Sequence, residues 1–481
     1  MKNIFCCLAL MILGNIWGHQ EVIAQRVTRQ EAIQAATSMI SNRNLNLSLS
    51  ETNPLVTEND TLAWLIHCLP QGFVVISPDR SQTPVLAWSA EGNFGDGEAW
   101  ISFLPVFMKD MKNRHRYSGI DTEELTENRK RWNNCLNPST ETMLFQQWPP
   151  EGWSSTGGWL FTNWTQTAPY NAFCPIDGQT QTRSVAGCPA TAMAQIVNFH
   201  HKLNGTRFDD ADDYYHNFGS GNMYWIDNDW ESYGFPSWNQ LNVLLDTLDA
   251  HYGNGITLSN SDKAALTYAC GAAAKQVYSS SGSGTFGVDQ AFNAYIRFGY
   301  SDARLDGPLN PELNIQLAQN IMLALPAHLA LVNPEWTVGH NVVVDGYNTD
   351  GLFHFNFGWG GSANGWYTMP PKDIPYDLTV IEGIVLDINL SSPPVAIDKP
   401  SSSELKPEWI YNKKENMLIV QLPDRTNGGE LAIFDATGRM INYQTFSGLR
   451  GSIRILHTEP GMFLARLRST DGRISTFKFI R

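Results

Sequence analysis

Val185-Ala-Gly-Cys-Pro-Ala-Thr-Ala-Met-Ala-Gln-Ile-Val-Asn-Phe-His200 is the stretch around which the rest of the chain is organised. Alanine, methionine and glutamine favour helix, and Ala190, Met193, Ala194 and Val197 recur along one helical face, which predicts a buried helix beginning near Pro189. Proline suits the first helical position, where its missing N–H would have no intrahelical partner, and Gly187 lets the chain turn sharply into the helix. Cys188 then stands at the N-terminus, where the positive pole of the helix favours a thiolate and lowers the thiol pKa. A cysteine so placed is either a nucleophile or a small buried residue at a helix start. The second stretch that bears on this choice is Val338-Gly-His-Asn-Val-Val-Val-Asp-Gly-Tyr347.

Within that second stretch, Asn341 to Asp345 is β-branched enough for a strand. Asn348-Thr-Asp-Gly351 is a turn signal, and Leu352-Phe-His-Phe-Asn-Phe357 reads as a second strand. The two form a hairpin. With an odd-numbered loop, such as Gly346 to Asp350, His340 and Asn356 stand opposite one another on one face; with an even-numbered loop they lie on opposite faces. An amide beside an imidazole can accept its ring N–H and orient it, the third-member role in a nucleophile–base constellation. His354 shares the face of Asn356 and is the rival base. His200 and His201 lie about three turns along the helix from Cys188, too far to reach it. The adjacent pair has no i, i+4 partner and the chain has no Cys-x-x-Cys, so zinc chemistry is not expected.

Four ordered blocks resemble the streptopain family of papain-like cysteine peptidases: Trp164-Thr-Gln-Thr-Ala-Pro-Tyr-Asn171, Gly187-Cys-Pro-Ala-Thr-Ala-Met-Ala-Gln195, Gly339-His340, and His354-Phe-Asn-Phe-Gly-Trp-Gly-Gly361. The resemblance spans residues 25 to 390 and implies an α+β, papain-like catalytic domain with Cys188 as nucleophile, His340 as base and Asn356 as its orienting amide. It favours His340 over His354, because His340 follows a glycine and aligns with the family histidine. It also implies that Gln166 helps form the oxyanion hole, a role its side-chain N–H suits beside the backbone N–H of Cys188. In the loop Gly358-Trp-Gly-Gly-Ser-Ala-Asn-Gly-Trp366, glycines allow close backbone approach and an indole can shield a buried hydrogen bond from water. The resemblance assigns Trp359 and Gly339 to the substrate cleft. Where relatives often carry tryptophan after the asparagine, this chain has Phe357.

The 481 residues suggest two to four units. Met1-Lys-Asn followed by a mostly apolar run from Ile4 to Trp17 and the small-residue signal at Ala24 reads as a secretory signal peptide, residues 1–24. A net charge of −14 argues against nucleic-acid binding and for a solvated exported protein. Seven cysteines are too few for a disulfide scaffold, and the odd number left after export suits one free thiol. Residues 25–145 show a helix-like segment from Thr28 to Ile40 and then short apolar runs at 61–68, 72–77 and 84–88, a small antiparallel sheet. This α+β unit resembles the inhibitory prodomain of streptopain relatives, which implies that it covers the active-site cleft until it is cut away. Arg129-Lys-Arg131 and the polar stretch from Asn133 to Thr142 read as an exposed linker open to that cut.

The catalytic unit is placed at 146–390 and a Pro/Ser linker at 391–407, whose composition cannot pack a core. Residues 408–481 carry short alternating strands between glycine-rich turns, a small β-sandwich. With Asp435-Ala-Thr-Gly-Arg439, Gly461-Met-Phe463 and Lys478, that unit resembles the sorting domain of type IX secretion cargo. The expectation is therefore a secreted cysteine endopeptidase made as a zymogen. Its partners would be protein substrates, its own propeptide and the type IX secretion machinery, with no cofactor. It would act outside the cell or attached to the outer cell surface. The alternatives are a non-catalytic adhesin on the same fold, and acyl transfer to amines by the same thiol.

Overall fold

The computed structural model describes residues 26–480 apart from 58–59, 97, 117–121, 138–144, 219–221, 333–338, 371–380, 390–406, 413–415, 424–427, 435–439, 456–461 and 471–473. The expected signal peptide, nearly all of the Pro/Ser linker and the Asp435 to Arg439 motif fall outside the described residues.

The N-terminal unit begins with α1 (Arg29–Asn42), whose start is set by a capping box: Thr28 Oγ1 accepts from the Glu31 N–H at 3.3 Å and the Glu31 carboxylate accepts from the Thr28 N–H at 2.7 Å. Strands β1 (Ser48–Val56), β2 (Thr61–Leu69), β3 (Phe73–Ile76) and β4 (Val85–Ser89) follow as an antiparallel meander. Two helices then appear that the residue pattern alone did not suggest, α2 (Glu98–Arg116) and α3 (Thr122–Leu136). The second corrects the expected linker. Arg129-Lys-Arg131 is helical, and the neighbouring Trp132 is only 1% exposed, its indole N–H donating to the Gln82 carbonyl at 2.8 Å. A single large apolar residue per helical stretch is enough to dock an otherwise polar helix against α1, and a polar sequence tally hides it.

The central unit runs through β5 (Gln147–Trp148), α4 (Cys188–His200), the hairpin β6 (Tyr214–Asn217) and β7 (Met223–Ile226), then α5 (Trp230–Tyr233), α6 (Trp238–Gly253), α7 (Asn260–Ala273) and α8 (Val288–Arg297). It continues with β8 (Arg304–Asp306), α9 (Leu313–Met322), β9 (Ala327–Val332), β10 (Gly339–Asn348), β11 (Leu352–Asn356), β12 (Gly365–Thr368) and β13 (Ile381–Leu386). Its sheet does not end at its own edge. The order is β1-β2-β3-β4-β12-β11-β10-β9-β13-β8, so the N-terminal meander and the sheet of the central unit are one, joined where β4 pairs β12 through Trp88↔Trp366 and Ala87↔Tyr367. Pairing an exposed edge strand satisfies its free backbone groups.

Two cores line the two faces of this sheet. On one face α4 packs with α7, α8 and the side chains of Ala330, Val343 and Val385. On the other, α2 and α9 cover Leu329, Leu331, Val342, Val344, Phe353, Phe355 and Phe357. Each aliphatic or Phe side chain so buried contributes roughly 1.5–3 kcal/mol. The C-terminal unit is a two-sheet sandwich, as expected. Its strands are β14 (Glu408–Asn412), β15 (Met417–Gln421), β16 (Gly429–Phe434), β17 (Met440–Phe446), β18 (Arg450–Arg454), β19 (Met462–Ser469) and β20 (Ile474–Ile480). Their orders are β14-β15-β18 and β17-β16-β19-β20, closed over their own apolar core. The sandwich leans on the central unit through Phe434, whose ring meets Trp148 edge-on at 6.1 Å. Among the described residues no helix is long and apolar enough to cross a membrane.

Candidate active site

Cys188 is the first residue of α4, as the Gly-Cys-Pro pattern predicts. Gly187 caps the helix at φ +86°, and a Cβ there would sit 2.6 Å from Gln276 Oε1, so conformation and space both require glycine. Pro189 occupies the first turn, and Thr191 Oγ1 donates back to the Gly187 carbonyl at 2.9 Å. The five cysteines among the described residues, Cys68, Cys135, Cys174, Cys188 and Cys270, are all free thiols. Gln166 lies beside this turn: its carbonyl accepts from the Ala186 N–H at 2.8 Å, two residues before the thiol.

The expected alignment of His340 with Asn356 is not found in this structure, and the reason is local. The turn is odd, the alternative that would have put the two on one face, with Tyr347↔Phe353 and Gly346↔His354 paired. Then the register shifts, and the next pairs are Val344↔Phe355 and Val343↔Asn356. Asp345 is the extra residue. A bulge of one residue reverses which side chains share a face. Asn356 thus lies on the α4 face opposite Val343, while His340, three residues further along β10, is turned to the other face opposite Leu331. There its ring is 3% exposed and stacks on Trp359 at 4.0 Å and 21°, and on Phe357 at 6.0 Å and 6°. The ring Nε2 pairs with the Phe357 carbonyl at 2.8 Å.

The side chain that meets the Cys188 thiol is the next one along the strand. Asn341 Nδ2 lies 3.9 Å from Cys188 Sγ, and its Oδ1 pairs with His328 Nε2 at 2.6 Å. His328 is fully buried and its Nδ1 reaches the Tyr295 hydroxyl at 3.1 Å. Asn356 is anchored on the same face, with Nδ2 donating to the Thr162 carbonyl at 2.8 Å and Oδ1 accepting from Gln195 Nε2 and the Gly358 N–H, both at 3.1 Å. Gly339 is exposed at the start of β10, and Trp359 is half-buried. His354, the rival base, is committed elsewhere: its Nδ1 pairs with the bulge carboxylate of Asp345 at 2.7 Å, and the second Asp345 oxygen accepts from the Leu160 N–H at 3.0 Å.

The electrostatics follow from burial. Desolvation pushes the Cys188 thiol above its ordinary range, outweighing the hydrogen bonds from Asn341 that act the other way. This reverses the lowering expected from the helix pole, because losing water around a sulfur anion costs more than a partial charge returns. Burial likewise holds His340 down at about 4, with the Phe357 carbonyl opposing and His328 adding to the shift, and holds His328 at about 4. The imidazole and the thiol are therefore both neutral at pH 7, on opposite faces of one strand. Strand parity was the available signal for Asn341. Gln195 was visible as a polar residue inside an apolar helix, and the Asp345 bulge left no signal in the hydrophobic pattern.

Residues 164–367 match the Peptidase C10 family and residues 24–115 match the Spi protease inhibitor family. The chain is thus similar to the streptopain-like, papain-like peptidases, with an inhibitor-like segment ahead of the peptidase-like one. The match to the thiol protease/hemagglutinin PrtT of Porphyromonas gingivalis is 28% identical over 387 residues, 76% of this chain and 41% of that protein. This streptopain-like chain thus spans about two fifths of PrtT. Streptopain of Streptococcus pyogenes is 24% identical over 327 residues, 62% of this chain and 71% of streptopain. Among solved structures, a fragment of Prevotella intermedia prointerpain A carrying a cysteine-to-alanine change aligns with 72% of this chain and all of the fragment, at 21% identity and a TM-score of 0.48.

Proposed function

We propose that this streptopain-like chain is a secreted cysteine endopeptidase made as a latent zymogen, with residues 25–145 as its inhibitory propeptide and 146–390 as its catalytic unit. One observation carries the reading: His340 and Asn341 are consecutive residues of β10, and the one that faces Cys188 is the amide. The imidazole is packed on the other face beneath the propeptide, since Phe103 of α2 lies 4.4 Å from Phe357 and 6.4 Å from Trp359, the two rings that stack beside His340. Removing α2 takes away that packing. A half-turn of the strand end at Gly339 and His340 then exchanges the imidazole for the Asn341 amide at the thiol.

In that state His340 takes the Cys188 proton while Asn356 accepts the other ring N–H. The thiolate attacks the scissile carbonyl, and the oxyanion is held by the Gln166 side-chain N–H and the Cys188 backbone N–H. His340 returns its proton to the leaving amine, and water activated by the same imidazole releases the acyl group. Trp359 and Gly339 line the cleft for protein substrates. The C-terminal sandwich serves as an export address for type IX secretion, delivering the enzyme outside the cell or to its outer surface.

The test is to express the full chain as wild type and as Cys188→Ala. Wild type is expected to shorten itself by about the length of its propeptide and then digest a denatured protein, while the variant stays full length and inert. Equal processing in both would overturn the assignment of the nucleophile. Transfer to an added amine in place of hydrolysis would redirect the reading to acyl transfer.

A further inference from the structure

Gln195 is fully buried on α4, seven residues beyond Cys188, and therefore about two turns along and on the same helix face. A polar side chain with no exposure costs stability unless each of its groups is bonded, and here they are. Its Oε1 accepts from the Trp164 N–H at 3.1 Å and from Thr162 Oγ1 at 3.0 Å, and its Nε2 donates to Asn356 Oδ1 at 3.1 Å. The two ends of this chain of amides are backbone groups of fixed polarity. The Trp164 N–H can only donate, which places the Gln195 oxygen there and turns its nitrogen toward Asn356. The Thr162 carbonyl can only accept, which places the Asn356 nitrogen there and turns its oxygen toward Gln195 and the Gly358 N–H. A reversed Asn356 would set amine against amine and carbonyl against carbonyl.

The geometry points to Gln195 as a positioning residue for the thiol chemistry, one that dictates the direction of the Asn356 amide and ties both Asn356 and the Gln166 segment to the nucleophile's own helix; this inference rests on the roles proposed above for Cys188, His340, Asn356 and Gln166. The link to Gln166 is short. Trp164 is two residues before it, the Trp164 carbonyl accepts from the Gly360 N–H at 3.0 Å, and the Gln166 carbonyl holds Ala186 just before the thiol. One carboxamide therefore sets the spacing between the orienting amide, the oxyanion segment and α4. Because only a carbonyl oxygen can accept the ring N–H of an imidazole, the polarity set by Gln195 is the one the base requires.

The discriminating substitution is Gln195→Glu. A carboxylate keeps the two bonds to Trp164 and Thr162 and loses the one to Asn356, where two acceptors then face each other. In the full chain, allowed to mature and with active sites counted by a peptidyl epoxide, kcat on a peptide substrate is expected to fall about ten- to a hundredfold with KM within about twofold. The deficit relative to wild type narrows as pH falls, because burial favours the protonated carboxyl and its O–H restores a donor to Asn356. Gln195→Met, of similar length and uncharged, shows the kcat loss without the acid recovery, and it carries the test if the buried carboxylate prevents folding. Wild-type kcat in Gln195→Glu at every pH, or the same pH-independent deficit in both variants, would overturn the inference. Cys188→Ala run alongside separates the two levels: activity retained there overturns the site reading and this inference with it. An inert Cys188→Ala beside an unimpaired Gln195→Glu overturns this inference alone.

Discussion

The start of α4 and the start of β10 supply the two halves of one proposed reaction, and they are built to different standards. The α4 end is fixed by short-range constraints: a glycine that only glycine can be, a proline in the first turn, Thr191 closing back on Gly187. The β10 end is fixed by its surroundings, a bulge five residues along the strand and a set of rings contributed partly by α2 of the N-terminal unit. The first half is therefore expected to hold with or without the N-terminal unit, whereas the proposed reaction makes the second conditional on it. A zymogen needs only one of its two reacting groups to be conditional.

The largest effect expected from breaking this contrast is at the bulge. Asp345→Ala removes the carboxylate that pairs His354 and receives the Leu160 N–H, leaving two buried polar groups unpaired. It should destabilise the chain by about 3–5 kcal/mol, read by urea unfolding in a Cys188→Ala background. Next comes Phe103→Ala, which opens a cavity over Phe357 and Trp359 and should cost about 3 kcal/mol while hastening self-processing, followed as loss of the full-length band. The same change leaves the α4 end untouched.

Acid should act on the β10 end as well. His340 is held near 4 when packed and returns toward 6.5 when released, so its packed form is fully favoured above about pH 6.5 and loses ground as pH falls toward 4. By pH 5 this amounts to about 2 kcal/mol. Because His200 and His328 are depressed in the same direction, the comparison is between Cys188→Ala and Cys188→Ala with His340→Gln. The double variant is expected to show the shallower fall in melting temperature between pH 7 and 5. The smallest effect is Trp359→Leu, where losing the ring stacked on His340 costs about 1 kcal/mol and raises the self-processing rate a few-fold.

How far the sequence could be read divides along the same line. The helix start at Cys188, the hairpin and the terminal sandwich were legible because each is written in neighbouring residues: a Gly-Cys-Pro turn, a polar turn between β-branched runs, alternation between glycines. The register of β10 was not, because an inserted residue at Asp345 leaves the alternation of Val342 to Val344 intact while reversing what lies beyond it. The rise in the Cys188 pKa was hidden for a related reason. The helix pole is local and visible, but desolvation depends on packing from distant segments. Helix α3 was missed because one tryptophan docks it. The union of the two sheets at Trp88↔Trp366 involves pairing across about 280 residues, which local pattern cannot encode.

The central claim is that the propeptide keeps His340 on the far face of β10, away from Cys188. The direct measurement is the NMR titration of the His340 imidazole in Cys188→Ala, before and after the propeptide is cut away by an added protease. The account predicts a pKa of about 4 in the intact chain and a return toward 6.5 or above once the propeptide is gone. An ordinary value in the intact chain, or one that stays near 4 after cleavage, would contradict it.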